Sequence, residues 1–283
     1  MRWREGRQSD NVEDQRGGGG RRIAIGGGLG SIVLVVVALL FGVDPRALFN
    51  NGGDNSPGTG SQVARSVNPE EEELKSFSSS VLANTEDVWR DILRQNGKQY
   101  RVPKLVLFTE QVRSACGTSG AAVGPFYCPG DEKLYLDLSF FSELRSRFRA
   151  PGDFAQAYVI AHEVGHHIQK ILGTMDKVNS MQQRVSERDA NDLSVRLELQ
   201  ADFYAGVWAH YAEKQGILEA GDLEEALRAA TAVGVDSLQK EGQGYVVPDS
   251  FTHGTSEQRM RWFKKGFETG DIRQGDTFSV RSP

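Results

Sequence analysis

The first long apolar stretch of this chain, Ile23 to Val43, shows no period at all. It runs for 21 residues without a charge, and Ser31 is its one strongly polar side chain. As a helix it would reach about 31 Å, the thickness of a bilayer's hydrocarbon core. The pattern therefore predicts one transmembrane helix over 23–43, although Gly26, Gly27, Gly28 and Gly30 lower its helix propensity and hydrophobicity. A cleavable signal peptide would have a shorter core and a small-x-small end, whereas this run closes on Phe41-Gly42-Val43-Asp44. Residues 1–22 are polar and glycine-rich, and 44–67 read as a flexible linker.

Periodicity begins at Asn68-Pro69, an N-cap residue followed by a proline suited to the first helical position. Leu74, Phe77, Val81, Leu82, Val88, Trp89, Ile92 and Leu93 then fall at the spacing of one or two amphipathic helices. Between Lys104 and Phe141 the pattern shifts to strands, at Leu105–Phe108, Phe126-Tyr127 and Lys133–Leu138, with glycine-rich connections. Helical spacing returns from Gly152-Asp153 to Gly173, from Ser186 to Gln215, from Gly221 to Gln239 and from Ser256 to Phe267. The expected fold class is α+β, mostly helical with a small sheet, in one folded domain over 68–270. A polar tail at 271–283 should be ordered only through docking.

Charge adds direction. The net charge is −5, yet residues 1–22 hold six arginines against four acids, leaving the main domain acidic. Nucleic acid is thus an unsuitable partner for it. Arginines before the apolar run, with Arg46 alone soon after it, place the N-terminus in the cytoplasm and the folded domain on the outer side of the membrane. Cys116 and Cys128, the two cysteines of the chain, could form a disulfide in that oxidising compartment, worth about 3 kcal/mol.

The chemistry lies in His162-Glu163-Val164-Gly165-His166, within the helix expected from Gly152 to Gly173. Positions i and i+4 share a face, so both imidazoles can bind one zinc ion while Glu163 stays beside it as a base. A catalytic zinc needs a third protein ligand. The glycine and second-turn histidine of metzincins are missing, since 169 and 172 are Gln169 and Leu172. A carboxylate from a later helix is the other solution, and Glu198 in Glu198-Leu199-Gln200-Ala201-Asp202 is the best candidate. Asp202, one turn on, could accept a hydrogen bond from the ring N–H of His162 that does not face the metal. His167 and His210 read as packed or solvated side chains.

HEVGH followed by ELQAD looks like the gluzincin pattern. His253-Gly254-Thr255-Ser256-Glu257-Gln258-Arg259 resembles the histidine and arginine motif found after the zinc helices of membrane-embedded prenyl-protein and heat-shock peptidases, with Gly254 where those usually carry proline. Met1-Arg2-Trp3-Arg4, the single apolar run, Gly124–Cys128 and Tyr135–Leu138 running into Ser139-Phe140-Phe141 are together similar to a bacterial family of neutral zinc metallopeptidases. The resemblance implies a gluzincin-like domain with zinc on His162, His166 and Glu198, Asp202 behind them, and Glu163 as general base toward a zinc-activated water. An oxyanion donor is also needed, with His253 the first candidate and Arg259 the second; Tyr204, Tyr211 and Tyr245 are weaker. The strand Lys133–Leu138 could pair with an extended peptide if it lies at a sheet edge.

Two functions of different class follow. One is a membrane-anchored zinc endopeptidase acting on a peptide or protein substrate; the other is a catalytically silent binding or scaffold protein that keeps the metal fold. An intramembrane protease is disfavoured by Gln156, Gln169 and Lys170 around the motif. The oligomeric state is not readable.

Overall fold

The computed structural model describes residues 1–16, 68–120, 124–234, 236 and 252–283. The span expected at 23–43 and the linker at 44–67 lie outside the described residues. Among the described residues, no helix is long and apolar enough to cross a membrane.

The architecture is mixed α+β and mostly helical, with two small sheets. Strand β1 (Val12–Asp14) is followed by helix α1 (Pro69–Gln95), where the Asn68 side chain accepts the backbone N–H of Glu70 and caps the first turn. Strands β2 (Lys104–Phe108), β3 (Gln111–Ser114), β4 (Gly117–Gly120), β5 (Phe126–Cys128) and β6 (Lys133–Asp137) come next. Among the described residues, helices α2 (Ser139–Ser146), α3 (Asp153–Leu172), α4 (Thr174–Gln182), α5 (Glu187–Lys214) and α6 (Asp222–Ala232) follow. Helix α7 (Ser256–Thr269) and a 3₁₀ turn (Ile272–Gln274) come last. Gly173 ends α3 at φ +80°, a conformation that favours glycine.

The main sheet has the order β1-β2-β6-β5, parallel except for the β5/β6 pair. Alternation sorts its side chains. Leu105 and Leu107 join the main core under the helices, while Val106 and Phe108 join a smaller cluster with Val112, Phe126 and Tyr135. The Cys116–Cys128 disulfide ties the β3–β4 hairpin region to β5. Strand β6, which could pair with a peptide only from a sheet edge, is instead an internal strand, flanked by β2 and β5. Among the described residues, the outer strand on that side of the sheet is β5. Hydropathy shows that a strand is buried but not which strand flanks it.

Glycines set how closely the helices meet. A Cβ on Gly165 of α3 would lie 2.8 Å from the Ala201 carbonyl oxygen of α5. At Gly206 of α5 and Gly266 of α7, a Cβ would fall 2.0 Å from the carbonyl oxygens of Phe263 and Phe203. Helix α5 is therefore held in backbone contact with α3 on one side and α7 on the other.

The polar tails expected at both ends are largely part of the fold. Met1 and Trp3 are buried, with the Trp3 ring edge-on to Phe77 at 5.5 Å. Ser9 donates its backbone N–H to Ser79, and the buried Glu86 accepts from Ser9, Asn11 and Arg7. The Met1 ammonium pairs with Asp153 at 2.8 Å and with Asp222 at 3.3 Å, occupying the acidic group that those two residues form with Glu225. At the other end, Arg196 donates to the carbonyls of Thr277 and Val280, and Gln200 to that of Gly275. Both segments are bound through hydrogen bonds and ion pairs, which leave no hydropathy signal.

Candidate metal centre

Helices α3 and α5 create the site because Gly165 lets them approach where the side chains of His162 and His166 meet those of Glu198 and Asp202. One ligand atom each from His162, His166 and Glu198 lie within 4.8 Å of one another. His162 Nε2 is 3.2 Å from Glu198 Oε2, and His166 Nε2 is 3.4 Å from Glu198 Oε1. The other ring nitrogens are engaged. His162 Nδ1 is 2.8 Å from Asp202 Oδ1, and His166 Nδ1 is 2.9 Å from Gln169 Oε1. Each Nδ1–H donates to its oxygen, so both Nε2 atoms are turned toward the same point with their ring orientations fixed.

Charge balance tests whether a metal fits. Three carboxylates, Glu163, Glu198 and Asp202, share this interior with one permanent cation, Arg259. Without a metal, His162 supplies a second positive charge: burial opposes it, but Asp202 and Glu198 raise its pKa to about 10. Burial, with Glu198 nearby, pushes the Glu163 carboxyl up to about 8, so the third negative charge is suppressed. Burial and the neighbouring positive charge lower His166 to about 4, and His162, His166 and His253 together hold Glu198 well below its ordinary value against its own burial. A divalent cation with two neutral imidazoles and Arg259 would balance all three carboxylates. The donor set of two nitrogens and one carboxylate is that of a catalytic zinc site.

Glu163 also receives the backbone N–H of Tyr127, which places it against the free edge of β5. His253 approaches from the segment before α7, its Nε2 3.7 Å from Glu198 Oε2 and its Nδ1 3.2 Å from the Thr252 hydroxyl. Gly254 is required there by space rather than by φ, since a Cβ would lie 2.5 Å from Leu199 Cδ2.

Arg259 is not placed as an oxyanion or substrate donor. Its Nε is 2.8 Å from Asp202 Oδ2 and its second terminal nitrogen 2.9 Å from Oδ1, a bidentate grip in which both side chains are buried. The remaining terminal nitrogen donates to the Val233 carbonyl. Against the penalty of burial, Arg259 and His162 lower the Asp202 pKa to about 2. Arg259 thus acts on the site through Asp202 and His162.

Sequence reasoning missed Tyr158, whose hydroxyl donates to Asp202 at 2.5 Å, and Gln169, which orients His166 while donating to the Leu197 carbonyl. Both were findable: Tyr158 is four residues before His162 and Gln169 three after His166, on the same helix face. His167 points to the sheet instead, its Nε2–H donating to the Arg101 carbonyl and its Nδ1 accepting from Tyr127. His210 donates to the Phe267 carbonyl. Tyr204 is packed edge-on to Trp89 in the core, and Tyr211 meets the His210 ring edge-on with the Lys214 ammonium over its face. Tyr245 lies outside the described residues.

The family model described as "Putative neutral zinc metallopeptidase" matches residues 1–278. The uncharacterized protein YpfJ of Escherichia coli strain K12 is 50% identical over 98% of this chain and 99% of its own length. The uncharacterized protein Rv2575 of Mycobacterium tuberculosis is 42% identical over 68% of this chain and 67% of its own length. No solved structure matches with significance. A match that starts at Met1 and runs through the metal centre to the docked C-terminal segment shows that the chain belongs to the neutral zinc metallopeptidase family.

Proposed function

We propose that this protein is a zinc endopeptidase, attached to the outer face of the cytoplasmic membrane through the apolar run 23–43. The observation that carries the enzymatic reading is the convergence of His162 Nε2, His166 Nε2 and Glu198 beside the buried Glu163. The Cys116–Cys128 disulfide supports an oxidising location.

Zinc is the cofactor that family membership brings, and when bound it supplies Lewis acidity that lowers the pKa of a coordinated water toward about 7 and polarises a carbonyl. His162, His166 and Glu198 hold it. Glu163 accepts the proton of the attacking water and delivers it to the departing amine. Burial pushes its carboxyl up to about 8, and a cation held beside it would lower that pKa toward the range of a working base. The Tyr127 N–H keeps that carboxyl against the β5 edge, where an extended peptide can add as a strand. His253 Nε2, facing the same point, donates to the developing oxyanion. Asp202, gripped by Arg259 and Tyr158, fixes the His162 tautomer.

A digest of a broad peptide library by the zinc-loaded full chain and by Glu163→Gln tests this reading. Cleavage by the wild type, reduced about 100-fold or more in a variant that keeps its zinc, is expected. Equal traces from both proteins would leave the silent scaffold as the better account.

A further inference from the structure

The two stretches that flank the apolar run are built into one body. Strand β1 pairs in parallel with β2, with Val12 opposite Leu105 and Asp14 opposite Leu107. Glu13 between them pairs with Lys104 of β2 at 2.7 Å and with Lys133 of β6 at 2.8 Å. Trp3 lies in the core formed by residues after 68, and Arg7 reaches Glu86 of α1. At the end of the arm, the Arg16 guanidinium donates to the Glu71 carbonyl at 3.1 Å and pairs with Glu72 at 2.6 Å, in the first turn of α1. Arg16 and Asn68, the described residues on either side of 17–67, therefore lie at the same place, the first turn of α1.

A single crossing cannot connect these two points. As a helix, Ile23–Val43 is as long as the hydrocarbon core is thick, so one pass consumes it whole and delivers Asp44 to the opposite side. The return would fall to 44–67, which carries Asp44, Arg46, Asp54 and Arg65 among glycines and polar residues, a composition that does not cross lipid. The charge rule that put the N-terminus inside also loses four of its six arginines. Arg4, Arg7 and Arg16 pair with Glu73, Glu86 and Glu72 of α1, and Arg2 lies 3.6 Å from Glu219, so all four serve the fold.

We infer that residues 1–16 and 68–283 occupy one compartment, the outer one, and that the apolar run attaches the chain to the membrane without carrying it across. The inference rests on the membrane attachment proposed above and is independent of peptidase activity. It replaces a cytoplasmic N-terminus with one that shares the compartment of the metal centre.

Single cysteines at exposed ends test it: Glu5→Cys or Gln8→Cys near the start, and Ser282→Cys near the end, each in the full chain expressed in bacteria. Spheroplasts with an intact cytoplasmic membrane are treated with a membrane-impermeant maleimide, and labelling is compared with that after lysis. Carbonate-washed membranes show whether the chain is attached. The expected result is a membrane-bound chain labelled fully at both ends before lysis, with two N-terminal positions guarding against a local effect of one substitution. Labelling at residue 282 with protection at 5 and 8 would overturn the inference and restore the single crossing. Protection at all three would overturn the outer location. Recovery in the soluble fraction would overturn the attachment itself, whatever the peptide digest shows.

Discussion

At the residue scale the site is an exercise in charge balance, and its pH behaviour follows. The Glu163 pKa of about 8 lies above the ordinary 4.5, so the metal-free folded chain binds this proton more tightly than the unfolded chain does. Stability is then lost as pH rises from 4.5 to about 8, by an amount of order 5 kcal/mol. Asp202 has the opposite sign: its pKa of about 2 lies below the ordinary 3.8, so its contribution is present above 3.8 and lost as pH falls toward 2. Denaturant unfolding of the metal-free protein should therefore find Glu163→Gln more stable than wild type at pH 8, with the gap closing near pH 4.5. A gap independent of pH would contradict this picture. Arg259→Ala leaves Asp202 buried without its partner and should cost about 3–5 kcal/mol. Arg259→Lys keeps a charge but not the two-pronged grip, and its zinc affinity should fall about 10- to 100-fold in a competitive chelator titration.

At the scale of elements, what the sequence showed and what it hid have physical causes. The long helices were legible because their ends carry chemical signals: Asn68 and Ser186 as caps, Gly173 as a stop. The ligands were legible because HEVGH and ELQAD encode their own helical spacing. The interior place of strand β6, the β3–β4 hairpin and helices α2 and α4 were not, since neighbours in a sheet and short elements are decided by tertiary contacts. Arg259 was read as a donor to substrate because its partner, Asp202, lies 57 residues away. The close approach of α3 and α5 at Gly165 was equally hidden, and it is testable. Gly165→Ala must displace the Ala201 carbonyl, costing about 1–3 kcal/mol in thermal or denaturant unfolding and weakening zinc binding with it. Unchanged zinc affinity would show that the helix spacing does not set the ligand geometry.

At the scale of the whole molecule, the N-terminal arm and the C-terminal segment close the structure around the helices. Hydropathy read them as tails because their burial is purchased with arginine pairs and side-chain-to-backbone hydrogen bonds rather than with apolar stripes. Met1 and Trp3 are the exceptions, and Trp3 is the best probe of the arm: Trp3→Ala should destabilise the fold by about 3–5 kcal/mol, whereas a tail residue would have no effect. The central claim, however, concerns the metal. Zinc titration of the full chain, followed by competition with a chelator of known affinity, tests it most directly when wild type and Glu198→Ala are compared. One zinc per chain, held at least about 100-fold more weakly in the variant, is the result expected if Glu198 completes the site with His162 and His166. Equal affinity in the two proteins, or no stoichiometric zinc in the wild type, would contradict it.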